Sequence, residues 1–216
     1  MMDVKPPLRP YRSPKRALQA AETRESVLSA ARELFVSEGW TRATITRIAL
    51  KAGVSNETIY ATFGSKNALL EELVTRAVRG NAADVSLPEQ EVPRRIAAET
   101  SQSRQIDLFA QDIASVLDRV APLMEVARSA AGTDETIARL YAGFHRGRRK
   151  NLEWFASMLL NNGPIRDGMN ARMAGEILWR IASPDLFLLM RDQEGVTQAA
   201  YAEWLAQSVK LLILAP

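Results

Sequence analysis

Apolar residues on either side of Gly53 constrain the fold of this chain more than any other feature. Before Gly53 they follow the i, i+3, i+4, i+7 spacing of one helix face, at Ile45, Ile48, Ala49 and Ala52. Thr44 is a suitable N-cap for that helix, and Gly53 can end it in the left-handed conformation without steric strain. Ser55 is a second N-cap candidate, and Ile59 and Phe63 follow it on one face. The spacing predicts two short helices joined by a tight turn.

Two helices joined by a turn of about three or four residues with a glycine are typical of the helix-turn-helix, whose second helix enters the DNA major groove. The same spacing also fits an ordinary helical hairpin. Lys66 favours the DNA-binding interpretation, because it lies in the first turn of a third helix capped by Ser65, where the helix dipole disfavours a cation. A DNA phosphate would remove that conflict, so Lys66 is predicted to contact one.

These residues resemble the DNA-binding signature of the TetR family of bacterial transcriptional repressors. The resemblance runs through Thr44, residues 48–49, 52–55 and 58–60, Phe63, Lys66 and residues 69–70. The preceding helix, residues 26–39, fits as well. The resemblance implies an all-α protein, with a three-helix N-terminal DNA-binding domain that contains the helix-turn-helix. A larger helical C-terminal domain would then bind a small-molecule effector and form the homodimer, and the two N-terminal domains would grip a palindromic operator.

Site residues also follow from the resemblance. It implies base-facing positions at Thr46, Asn56 and Glu57, and phosphate-contacting positions at Thr44, Thr58, Tyr60 and Lys66. Ser55 and Thr62 complete the predicted DNA-binding set. Asparagine can pair bidentately with adenine and glutamate can accept from cytosine N4, whereas hydroxyls and lysine suit phosphate oxygens.

Each of these residues also has a purely structural interpretation. Asn56 and Glu57 are good first-turn residues, with Glu57 favoured by the helix dipole. Tyr60 can instead pack its ring against the first helix. Thr62 stands where many family members carry an aromatic residue or histidine, so a weaker backbone contact is expected there.

Composition narrows the function classes. The 216 residues include no cysteine, which excludes disulfides, thiolate catalysis and cysteine-ligated zinc. A single histidine, His145, disfavours a histidine-built metal site, and neither a metal nor a cofactor is expected. Asp107, Asp112 and Glu153 are conceivable acid-base groups, but no nucleophile, metal or phosphate motif accompanies them, so an enzyme is disfavoured. No run is long enough to span a membrane and no apolar signal core is present, so a cytoplasmic protein with no membrane partner is expected.

Charge is unevenly placed along the chain. Residues 1–80 hold 13 Lys+Arg against 8 Asp+Glu, a net of +5, so the whole-chain +3 leaves −2 for residues 81–216. Residues 1–20 combine prolines with basic side chains and are predicted to be a disordered basic arm before binding. Such an arm either reaches into the DNA minor groove or is a solvated tail.

The remaining chain divides into a DNA-binding domain over residues 21–66 and a ligand-binding and dimerisation domain over residues 67–216, with a loop near residues 81–93. Helices are predicted at 94–99, 103–120, 122–131, 134–161, 171–182, 184–191 and 197–214. The C-terminal half resembles TetR-family sensor domains more loosely. A ligand-independent DNA-binding or protein-recruiting factor of the same fold stays as an alternative.

An effector pocket is predicted among the middle helices, where apolar and aromatic residues recur at helical spacing. The candidate lining residues are Phe109, Ile113, Met124, Tyr141, Phe144, Trp154 and Met158. The same spacing describes any helical core. His145 and the basic residues 146 and 148–150 form either a solvated basic face or a patch that binds an anionic ligand or lies close to DNA.

The last helix carries an apolar stripe. Its members are Tyr201, Trp204, Leu205, Ser208 and Leu212, with Leu211 beside them. Such a stripe is core in most helical domains. It can also pair with its own copy across a twofold axis as a four-helix bundle, which is a common homodimer interface.

Overall fold

The computed structural model describes residues 14–80 and 85–215, and these are helical throughout most of their length. The helices are α1 (Pro14–Arg42), α2 (Ile45–Ala52), α3 (Asn56–Phe63), α4 (Lys66–Arg79), α5 (Glu91–Ala98), α6 (Gln102–Ala131), α7 (Glu135–Asn161), α8 (Ala171–Ile181), α9 (Pro184–Asp192) and α10 (Gln198–Ile213). A short 3-10 turn covers Leu87–Glu89. In this described part of the chain the only β-type pairing is an isolated bridge between Ile165 and Leu214. The all-α expectation is confirmed.

Local capping determines where α2, α3 and α4 begin. The hydroxyl oxygens of Thr44, Ser55 and Ser65 accept hydrogen bonds from backbone amides in the first turn of these helices, at 3.3, 3.2 and 3.1 Å. Gly53 ends α2 with φ 70°, a left-handed conformation that costs glycine little. The predicted helix-turn-helix is therefore present. Its inner face is closed by Phe35, Ile48, Ile59 and Leu69, all fully buried.

The first helix is longer than the sequence predicts. It begins at Pro14 rather than near residue 26, so the prediction of disorder is wrong for residues 14–20. Proline suits a first helical position because its missing N–H has no partner there, and the following residues 17–22 are mostly strong helix formers. Gly39 interrupts the helix near its end, with φ 79°. Residues 1–13 of the predicted arm lie outside the described residues.

A single helix, α6, replaces the two helices predicted on either side of Pro122. An internal proline removes one helix hydrogen bond and costs about 3 kcal/mol in an isolated helix. Around Pro122, however, Ala121, Leu123 and Met124 are buried. The helix packs against α1, α4, α5, α7, α9 and α10. Packing on so many sides offsets the lost hydrogen bond and carries the helix through the proline.

Most of the C-terminal helices pack around α6. The helix α7 lies between α6 and α8, and α10 packs along α6. Near the predicted loop, α5 begins at Glu91 rather than Arg94, and Pro93 is accommodated in its first turn, where amide groups have no helical partner. None of the helices in residues 14–80 and 85–215 combines the length and apolar character needed to cross a bilayer.

Candidate DNA interface

The three predicted base-facing residues lie together on the outer side of the helix-turn-helix. Thr46 belongs to α2, and Asn56 and Glu57 open α3. The Asn56 Nδ2 group donates a hydrogen bond to Thr46 Oγ1 at 3.1 Å. Thr46 and Glu57 are exposed and Asn56 is half-exposed. The amide of Asn56 keeps its Oδ1 acceptor and a second N–H donor for a base edge, which are the groups a bidentate contact to adenine uses.

Glu57 is held in its ionised form at neutral pH. A hydrogen bond from its own backbone amide, followed by one from the Ser55 side chain, lowers the pKa of Glu57. An ionised carboxylate is purely an acceptor. At the N-terminus of α3 it suits the exposed amino group of cytosine and opposes a close phosphate.

Hydroxyl groups line the sides of α3. The Ser55 and Thr58 hydroxyl oxygens are 3.2 Å apart, and the Thr62 hydroxyl donates to the Thr58 carbonyl at 2.7 Å. Tyr60 is 54% exposed, so its ring is not packed away against α1. The hydroxyl of Tyr60 is therefore accessible to a phosphate, whereas the hydroxyl of Thr62 already has a partner within its own helix.

The positive charge of Lys66, at the start of α4, is stabilised by groups within the protein. Its Nζ donates to the backbone carbonyl of Trp40 and lies 3.9 Å from the Trp40 ring centre and 6.0 Å from that of Phe35. That carbonyl lies just after the interruption of α1 at Gly39. Burial lowers the pKa of Lys66, and the Asp134 carboxylate opposes that effect. Lys66 therefore has a partner within the protein, and its position at the start of α4 is not evidence for a phosphate.

The helices α1 to α4 are almost neutral from residue 22 onward. Ion pairs tie their basic residues to their own acids, among them Arg24–Glu72, Arg47–Glu38 and Lys51–Glu33, at 3.1, 2.7 and 2.7 Å. Residues 22–80 hold 8 Lys+Arg against 7 Asp+Glu, whereas residues 1–21 hold 5 against 1. The positive charge of this half of the chain is therefore concentrated before residue 22, including Lys15 and Arg16, which are exposed at the start of α1.

Arg24 of α1 contacts the C-terminal end of α3. Its guanidinium lies 4.5 Å from the Phe63 ring centre, and its Nη1 donates to the Thr62 carbonyl at 3.4 Å.

The predicted effector-pocket residues are dispersed. Phe109 is buried and stacks on Phe155 with ring centres 3.9 Å apart, and Met124 is buried about four turns further along α6. Ile113, Tyr141, Phe144 and Met158 are half-buried, and Trp154 faces outward. A surface cleft of about 520 Å³ is lined by Arg95, Ala98, Glu99, Arg104, Asp107 and Leu108. None of the predicted residues lines it, and their role in effector binding stays a prediction.

A residue that the sequence analysis did not single out connects the two halves of the chain. Arg119 of α6 donates from Nε to the Ala77 carbonyl in the last turn of α4, at 2.9 Å. Arg32 of α1 donates to the Arg119 carbonyl at 3.1 Å. Helix spacing carries no signal for such contacts, because the partners are far apart along the chain.

Comparison with known proteins agrees with this architecture. The family model for bacterial regulatory proteins of the tetR family matches residues 27–73. The transcriptional repressor BepR of Brucella suis is 31% identical over 103 residues, which are 48% of this chain and 45% of that protein. This chain thus spans about half the length of that relative. The relatives are transcriptional regulators rather than enzymes, in agreement with the sequence-based expectation.

Solved structures share the fold over most of the chain. NalD, the secondary repressor of the MexAB-OprM multidrug efflux pump in Pseudomonas aeruginosa, aligns with a TM-score of 0.68 at 20% identity, over 90% of this chain and 98% of that one. FadR from Bacillus subtilis, solved with stearoyl-CoA, aligns with a TM-score of 0.67 at 16% identity, over 86% and 97%. Residues 27–73 thus carry a DNA-binding domain of the bacterial tetR regulatory family, and the chain as a whole shares the helical fold of these solved structures.

Proposed function

We propose that this protein is a cytoplasmic transcriptional repressor that binds a palindromic DNA operator as a homodimer and releases it when a small molecule binds the C-terminal domain. One observation carries the DNA-binding part of the proposal. Thr46, Asn56 and Glu57 project from a helix pair whose inner face is fully buried, so their positions relative to one another are fixed. A rigid polar face at the start of the second helix is how a helix-turn-helix reads base edges.

Asn56 provides the direct test of base reading. We expect Asn56→Ala to relax the preference at one base position in each half-site, because a bidentate asparagine–adenine contact discriminates by about 1–3 kcal/mol. Binding-site selection from random DNA with both proteins measures this. Asn151→Ala, at an exposed position of α7, is the matched control and should select the wild-type motif. An unchanged motif with Asn56→Ala would show that this residue does not contribute to base recognition.

Exposed leucines at the C-terminal end support the homodimer. In the predicted stripe, Tyr201 and Leu205 are buried within the chain, whereas Leu212 is 43% exposed. Leu211 beside it is 69% exposed, and Leu189 of α9 is 50% exposed. A second copy packed on α9 and α10 would cover these side chains in an isologous interface.

Arg119 offers a route for the release. Its hydrogen bond joins α6 to the end of α4, so a ligand that displaces α6 would move α4 and change the separation of the two α3 helices in the dimer. Successive major-groove faces lie about 34 Å apart, and a misfit of a few ångströms prevents both half-sites from being held. The stearoyl-CoA complex of FadR shows a ligand bound to a protein of this fold.

A ligand screen tests this release. We expect compounds that raise the melting temperature of the protein, by binding its folded state, to weaken its binding to the selected operator. Arg119→Met should keep the thermal shift and lose most of the effect on DNA, whereas Arg104→Met, at an exposed position of the same helix, should keep both. If no stabilising ligand changes operator affinity, the protein is a ligand-independent DNA-binding factor of the same fold.

A further inference from the structure

Two hydrogen-bond donors of the C-terminal domain are buried without an acceptor. They are Nε of Arg148 in α7 and the indole Nε1 of Trp179 in α8. Both belong to one cluster, since the Arg148 guanidinium carbon lies 5.0 Å from the Trp179 ring centre. A buried donor without an acceptor costs about 1–3 kcal/mol, and more when it is charged. Among the described side chains, two such donors at one place indicate a site built for an acceptor.

Aromatic rings surround these donors. Tyr141 and His145 lie on the same face of α7 as Arg148, with ring centres 4.5 Å apart, and His145 lies 5.7 Å from Trp179. The Arg149 guanidinium also lies 4.5 Å from the Trp179 ring centre. The donors are thus placed beside flat apolar surfaces suited to the body of an organic molecule.

The charge of Arg148 has no carboxylate partner in the cluster. Its Nη2 donates to the Trp179 carbonyl and its Nη1 lies 3.4 Å from Nδ1 of His145. The Asp185 carboxylate raises the pKa of Arg148 from a distance, but it forms its ion pair with Arg128 at 3.5 Å. Burial lowers the pKa of Arg148 to about 10, which leaves it charged at neutral pH.

His145 does not add to this charge. Burial, followed by the nearby Arg148 charge, lowers the pKa of His145, so its ring is neutral at pH 7. The buried part of the cluster therefore contains one uncompensated positive charge.

A surface cleft lies beside this cluster. It has a volume of about 190 Å³ between α7 and α8 and is lined by Arg149, Glu153, Arg172, Gly175 and Glu176. Arg149 is common to the cleft and to the stack on Trp179. Glu176 forms ion pairs with Arg172 and Arg180 at 3.5 and 3.7 Å. A ligand bound at the two donors would enter from this cleft past Arg149.

We propose that Arg148 and Trp179 bind the carboxylate of a small organic monoacid, and that this monoacid is the effector of the regulator. This inference rests on the proposed sensor function. The carboxylate oxygens accept hydrogen bonds from Arg148 Nε and Trp179 Nε1, and the apolar body of the acid lies against the Trp179 and Tyr141 rings. A monoanion fits better than a phosphate, because the buried part of the cluster holds one positive charge and Glu153 would repel a second negative charge.

Matched acids and amides test this site. The full-length protein is titrated by calorimetry with benzoate, phenylacetate, octanoate and decanoate, and with the primary amide of each. We expect at least one acid to bind saturably and its amide to bind at least ten-fold more weakly. Arg148→Met should weaken binding of that acid by about 10- to 100-fold, the range for a lost charged hydrogen bond. Arg148→Lys should restore part of it.

Two further variants keep the test decisive. Arg146→Met removes the same charge from an exposed position of α7 and should leave acid binding unchanged. If Arg148→Met does not fold, Trp179→Phe removes the indole donor while keeping an aromatic ring and should weaken the acid by several-fold. The site would be overturned if none of the four acids binds saturably. It would also be overturned if the Arg148→Met and Trp179→Phe proteins bind the acid as tightly as the wild-type protein does. An Arg148→Met protein that sediments as a monomer would overturn it as well, since the donors would then face the second copy.

Operator binding separates this inference from the proposed function. If an acid needs Arg148 for binding but leaves DNA affinity unchanged, the carboxylate site is supported and release of DNA by this effector is contradicted. A ligand that releases DNA equally from wild-type and Arg148→Met proteins would support the sensor and overturn this site.

Discussion

Ile59→Ala should destabilise the N-terminal domain by about 2–5 kcal/mol and abolish operator binding, because it removes a fully buried side chain from the inner face of α3. The cavity would loosen the contact of α3 with α1 and α2, so the recognition helix would no longer hold its register. Chemical denaturation and hydrogen exchange of the α3 amides measure this. Ile59→Val should cost only about 0.5–1.5 kcal/mol and retain DNA binding. Wild-type stability in Ile59→Ala would show that α3 is not anchored by this residue.

Lys66→Met should lower the stability of the free protein. The substitution removes a charged hydrogen bond to the Trp40 carbonyl, which contributes about 1.5–3 kcal/mol, and a contact with the Trp40 ring. Because the Lys66 ammonium is directed to the carbonyl and ring of Trp40, we expect the slope of log affinity against log salt to stay unchanged. Thermal unfolding and DNA binding at several salt concentrations measure both effects.

Lys15→Met is the control for Lys66, because it removes a charge from an exposed position of α1 and should leave thermal stability unchanged. A Lys66→Met protein of full stability, with a salt slope reduced by about 0.9 for each lost phosphate contact, would restore the DNA role that the sequence suggests for this lysine.

Local interactions explain why the helix-turn-helix could be predicted. Thr44, Ser55 and Ser65 cap helices through amides only three residues further on. Gly53 ends α2 by a conformation that depends on its own backbone. Apolar spacing then fixes which faces turn inward. Each signal lies within one or two turns of the residue concerned, so the sequence alone is sufficient.

The partners of Lys66 and Arg148 could not be predicted in this way. Lys66 meets a carbonyl 26 positions away, and Arg148 meets one 31 positions away. Pro122 shows the same limit, because its helix continues through packing against six other helices. The effector-pocket residues are not separable from core by spacing, since Phe109 obeys the same periodicity in either role.

The hydrogen bond between Asn56 and Thr46 has a consequence for how operator preference can change during evolution. The Asn56 amide, which we propose to read a base, donates a hydrogen bond to the Thr46 hydroxyl on the preceding helix at 3.1 Å. Replacement of Thr46 would free that amide and alter base preference at the position read by Asn56, so substitutions at the two sites should be non-additive. A duplicated copy of this regulator would therefore acquire a new operator most readily through paired changes at these two positions, because each substitution alters the effect of the other.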